Sequence, residues 1–102
     1  MPRPELSAQA VLSEANKSIA EDKLAEAYQL LRNGLVSFPR NTDILHLAGQ
    51  TAFQLGLLQE AATLLNTAVV TNPTSFLAQL HLAIVLRQRG ELFGALKAYY
   101  GA

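Results

Sequence analysis

His46 and His81 are the two side chains of this sequence best suited to bind a metal or move a proton near neutral pH. Two imidazoles alone do not complete a metal site, and no carboxylates are spaced to converge on them. They are expected as one groove-lining and one packed histidine. The chain has no cysteine, which excludes disulfides and thiolate metal sites. No serine or threonine has a neighbouring His–Asp arrangement that would activate it as a nucleophile. Asp22 and Glu26 read as the start of a helix, where the dipole favours acids. There is no phosphate-binding glycine loop and no acid–base pair of carboxylates. No catalytic residue, metal or cofactor is expected, and these 102 residues are not expected to be an enzyme.

Composition points the same way. Eight basic residues balance eight acidic ones, and no run of lysine or arginine offers a nucleic acid a basic patch. Half of the residues are apolar, enough for one continuous core in one domain. The densest apolar stretch, Leu82-Ala83-Ile84-Val85-Leu86, is far too short to span a bilayer. No apolar run follows Met1-Pro2-Arg3-Pro4-Glu5 to make a signal peptide. A soluble, cytoplasmic protein is expected, bound to neither membrane nor nucleic acid.

The elements that must position these side chains come from an internal repeat. Pro39 and Pro73 lie 34 residues apart, and at that shift other columns agree. Ala15, Gly49 and Ala83 align, as do Asp22, Gly56 and Gly90, and Leu24, Leu58 and Leu92. Ala27, Ala61 and Ala95 form another column, followed by Leu31, Leu65 and Tyr99, then Gly34, Ala68 and Ala102. Within one unit, Ile44, Leu45, Ala48, Ala52, Phe53 and Leu55 recur at helical spacing. Thr42 or Asn41 can cap that helix, and Gly56 can end it in the left-handed conformation. A second helix carries Ala61, Ala62, Leu65, Ala68 and Val69 and stops before Asn72-Pro73.

Six helices are therefore expected, at roughly 5–20, 24–37, 42–55, 58–71, 75–89 and 92–100, with ends good to about two to four residues. They group into repeats at about 8–41, 42–75 and 76–102, the last helix incomplete. Gly49, mid-helix in a column of alanines, marks a close crossing of paired helices, with Ala27, Ala61 and Ala95 as the facing small residues. Leu31, Leu65 and Tyr99 are expected to fill the space between neighbouring units.

These columns resemble the tetratricopeptide repeat family. The second unit carries the pattern most fully, in Leu45, Ala48-Gly49, Ala52, Gly56, Ala61, Leu65, Ala68 and Pro73. The third keeps Leu82-Ala83, Leu86, Gly90, Ala95, Tyr99 and Ala102. The first is the most divergent, with Glu14, Ser18 and Asp22 in place of the usual residues. The resemblance implies an all-α, right-handed solenoid of three antiparallel helix pairs, whose first helices line a concave face. That face in the family grips an extended peptide or a partner protein's helix.

By register, the inward positions here are Leu12, Asn16, Asp43, His46, Gln50, Gln54, Leu77, Leu80, Ile84, Arg87 and Gln88. Asn16, Gln50, Gln54 and Gln88 have both donors and acceptors for a peptide backbone. Leu77, Leu80 and Ile84 form an apolar stripe at one end. The family's best-known subset clamps acidic chaperone C-termini with basic residues on these helices. Only Asn16 matches such a clamp, and Leu12, Leu77 and His81 stand where cations belong. A buried carboxylate without cationic partners is costly to desolvate, so that role is disfavoured.

The final helix is expected to run beyond Ala102, leaving Leu96, Tyr99 and Tyr100 facing an absent neighbour. Either the chain is the N-terminal part of a larger protein, or a second copy covers that end as a homodimer. The expected function is a protein–protein interaction module that takes a peptide or partner protein in its groove. The alternatives are an accessory domain of a larger bacterial enzyme, of hydroxylase or glycosyltransferase type, and a structural self-association module.

Overall fold

The computed structural model describes residues 7–101, and side chains for residues 7–91. The described residues form five helices: α1 (Ala8–Ala20), α2 (Leu24–Ser37), α3 (Thr42–Gln54), α4 (Leu58–Thr71) and α5 (Phe76–Gly101). Short polar side chains start the first helix of each repeat. Ser7 Oγ accepts from Ala10 N–H at 3.0 Å, and Asn41 Oδ1 accepts from Ile44 N–H at 3.0 Å. Ser75 Oγ accepts from Ala78 N–H at 3.3 Å. Each satisfies one amide that the first turn leaves without a helical partner. The cap of α3 is thus Asn41, not Thr42. The expected start of α1 at residue 5 lies outside the described residues, and Ser7 already has extended backbone (φ −79°, ψ 149°).

The second helices begin differently. Lys23 and Leu57 precede α2 and α4 without any side-chain cap. The chain instead turns on a residue with positive φ, Asp22 at 62° and Gly56 at 82°. Leu57 N–H returns to Ala52 C=O at 2.9 Å and Gly56 N–H to Phe53 C=O at 3.0 Å. Lys23 N–H to Ser18 C=O (2.8 Å) and Asp22 N–H to Ile19 C=O (3.0 Å) repeat that geometry one unit earlier. This paired return closes the end of a helix through a left-handed residue. Asp22 therefore ends α1 rather than starting α2, while Glu26 does lie in the first turn of α2.

The core runs continuously between repeats. Ala15, Leu31, Ile44 and Ala48 form one buried cluster, and Ala52, Ala61, Leu65 and Val85 another. Ala27, Leu31, Ala61, Leu65 and Ala68 are fully buried, as their columns require. Thr51, the one buried polar side chain among the described residues, donates to Leu47 C=O at 2.8 Å.

The close crossing at Gly49 is present, with a different partner from the one expected. A Cβ at Gly49 would lie 2.5 Å from Leu65 Cγ and 2.8 Å from Leu65 Cδ2. The large leucine, not Ala61, sits over the glycine. Gly34 meets Val11 in the same way, with its added Cβ 2.6 Å from Val11 Cγ1.

The third helix pair does not form. The break expected at Gly90 is absent, and α5 continues through it as a single 26-residue helix. Two residues account for the change. In the second repeat Phe53 and Leu57 flank the turn and both pack on the core. Their counterparts 34 positions on are Arg87 and Glu91, which form an ion pair across one helical turn, Nε to Oε1 at 3.2 Å. An apolar pair rewards folding back onto the core, whereas an oppositely charged pair at this spacing favours a straight, solvated helix. The architecture is an all-α solenoid of two closed pairs and one long helix. The expected packing of Ala95, Leu96, Tyr99 and Tyr100 lies outside the described side chains.

Candidate functional site

The first helices lie side by side, α1 against α3 and α3 against α5. Their shared face holds the positions that register assigned to a groove. Between α3 and α5 lies a cleft of about 230 Å³, lined by Gln50, Phe53, Gln54, His81, Ile84 and the core residues Leu65 and Val85. Three of the expected residues, Gln50, Gln54 and Ile84, meet there. Phe53 supplies an apolar floor, and Gln54 points its amide to solvent without a hydrogen bond.

The remaining expected residues are distributed around this cleft. His46 is half-buried beside it, and its Nε2 lies 2.5 Å from His81 Nδ1. The rings meet edge to edge, with centroids 4.8 Å apart and planes tilted by 32°. Gln50 Nε2 reaches His81 Nε2 at 3.4 Å. Burial lowers the His46 pKa below its usual 6.5, His81 lowers it further, and Asp43 acts in the opposite direction. Asn16 and Asp43 are exposed, as are Gln88 and the stripe of Leu77, Leu80 and Ile84. Arg87 is exposed too, held by Glu91. Leu12 is half-buried and packs on the core cluster of Ala15 and Leu31.

His81 is the residue that register reasoning left out of the groove. The signal was available: His46 and His81 are 35 positions apart, one repeat plus one residue. That spacing places them on facing sides of adjacent first helices. Among the described residues, no three His, Cys, Asp or Glu side chains group closely enough to hold an ion.

A larger cavity, about 450 Å³, opens on the opposite side between α2 and α4. Tyr28, Arg32, Leu35, Val36, Gln59, Glu60, Thr63 and Leu64 line it. Its main polar group is already engaged: Arg32 lies 5.7 Å from the Tyr28 ring centroid and donates to its hydroxyl at 3.4 Å. The α3/α5 cleft is smaller, and it lies on the face shared by the first helices, with the amides of Gln50 and Gln54 at its edge.

No described helix is long and apolar enough to cross a membrane. No curated protein matches the chain. The sequence model of the family described as "Tetratricopeptide repeat" matches residues 18–83, a span reaching from the end of α1 into α5. Repeats of this kind generally mediate protein–protein interaction. With the register of its columns, its paired left-handed turns and its stacked first helices, this chain belongs to the tetratricopeptide repeat family.

Proposed function

We propose that the face formed by α1, α3 and α5 binds an extended segment of a partner protein, with the α3/α5 cleft as its centre. The observation that carries this reading is the convergence of Gln50, Gln54 and His81 over an apolar floor of Phe53 and Ile84. Amides flanking an apolar slot can pair with a peptide backbone while the slot takes one side chain. No fixed cation lines the cleft, which speaks against a clamp for acidic C-termini.

The test is selection of peptides from a random library on the purified protein. Affinity of the selected peptide is then measured by calorimetry for wild type and for Gln50→Ala combined with Ile84→Ala. Loss of about tenfold or more, with circular dichroism unchanged, supports the cleft. Equal affinity in the variant sinks it.

A second reading rests on a separate observation. Phe76, Leu77, Leu80 and Ile84 of α5 are exposed on neighbouring positions of one side, Phe76 by 71%. A second copy of the chain covering this surface would make the module self-associating. Light scattering over a range of concentrations decides it: a constant monomer mass removes self-association.

A further inference from the structure

The imidazoles of His46 and His81 come from different repeats and face each other nitrogen to nitrogen, with Gln50 behind His81. A hydrogen bond between two ring nitrogens needs one proton between them. When Gln50 Nε2 donates to His81 Nε2, the His81 proton sits on Nδ1 and points at His46 Nε2. The neutral pair is then fully satisfied. A first added proton leaves the bond intact, because one of the two facing nitrogens still donates and the other still accepts, and His81 Nε2 now carries a proton. Gln50 must then turn its amide to accept from His81 Nε2–H. A second proton ends the bond, since both facing nitrogens become donors on two like charges. The contact therefore survives the first added proton and not the second.

We infer that the His46–His81 contact is a proton-operated latch between the second and third repeats. Closed, it ties α5 to α3 across the groove. Doubly protonated, the contact opens, and α5 shifts against α3 so that the mouth of the cleft widens. Ala78, Leu82 and Val85 keep α5 anchored in core clusters that include Leu45 and Ala52 of α3 and Leu65 and Ala68 of α4. Its consequence for binding rests on reading this face as the binding face; the latch itself does not.

The charged surroundings leave the pair in control. On α3, Asp43 is the one carboxylate acting on His46, and it supports the first added proton. On α5, Arg87 and Glu91 are paired with each other, and Arg89 borders Leu82 and Leu86 on the α4 side. Glu60 of α4 lies in the α2/α4 cleft, and Glu14 and Lys17 of α1 are exposed. Burial and the neighbouring ring already oppose charging of His46, so the second proton meets a further penalty.

The chain has no cysteine, so spin labels can be placed uniquely. Gln54→Cys and Gln88→Cys put them at equivalent, exposed positions of α3 and α5. The distance between labels is measured without ligand at about pH 8 and in steps down to about pH 4, with helicity followed in parallel. The latch predicts that the mean distance lengthens by more than about 2 Å on acidification while helicity is kept. It further predicts that His81→Gln and His46→Gln, which do not titrate here, each remove the pH dependence. An unchanged distance in wild type overturns the proposal. So does a change that survives in either variant that keeps its helicity, and so does loss of helicity over the same range. Because no peptide is present, failure of the latch leaves the groove reading standing, and failure of peptide binding leaves the latch standing.

Discussion

Gly56 and Gly90 occupy the same column of the repeat, and the chain does opposite things at them. At Gly56 the backbone turns left-handed, α3 ends and α4 folds back to bury Leu65 over Gly49. At Gly90 the helix continues, and space around the residue is open. Asp22, which has a side chain but tolerates positive φ better than most residues, turns the chain in the first repeat. The residue at the turn is thus not what decides. The decision lies with its neighbours, which are Phe53 and Leu57 packed on the core in one repeat and the Arg87–Glu91 pair in the other.

The largest way to break the closed repeat is to hollow its centre. Leu65→Ala removes a fully buried side chain that fills the space beside Gly49 and is expected to cost about 2–5 kcal/mol in chemical denaturation. Overfilling the same crossing is next. Gly49→Leu forces atoms into the Leu65 side chain, which is buried and cannot swing away, and is expected to cost about 1–3 kcal/mol. An unchanged denaturation midpoint would refute the close crossing.

The two glycines then give opposite signs for one substitution. Gly56→Ala meets no atom, yet it must hold φ near +82° and is expected to destabilise by about 1–2 kcal/mol. Gly90→Ala gains helix propensity and is expected to stabilise by about 1 kcal/mol. Destabilisation by Gly90→Ala would mean that this column turns in the third repeat as well.

The next effect comes from one half-buried imidazole. His46 is held below its unfolded pKa of 6.5, so the folded protein disfavours its charged form. Stability is therefore full above that pH and declines as pH falls through it toward the lower folded value. Thermal melts across this range should show the decline in wild type and a flatter profile in His46→Gln. The smallest effect belongs to Glu91→Ala, which removes an exposed pair and is expected to cost about 0.3–0.5 kcal/mol.

Much of this fold was legible because a repeat states each packing rule several times. The Ala15/Gly49 and Leu31/Leu65 columns placed helices, crossings and core in two repeats from residue size alone. The unbroken α5 was not legible from glycine, since glycine permits a left-handed turn without requiring one. It could be read only from the change of Phe53 and Leu57 to Arg87 and Glu91. For the candidate site, register placed Gln50, Gln54 and Ile84 in one cleft. Leu12, placed on the same face by register, is half-buried against Ala15 and Leu31. His81 was read as the packed histidine, because a one-residue offset between repeats is invisible when columns are compared strictly at 34.

The account stands on which face of the solenoid binds. The most direct measurement is a ¹H–¹⁵N spectrum of the protein titrated with a library-selected peptide. The account predicts that shifts cluster on α3 and α5 around Gln50, Gln54 and Ile84. Shifts confined to Tyr28, Arg32 and Thr63, in the cleft between α2 and α4, would contradict it.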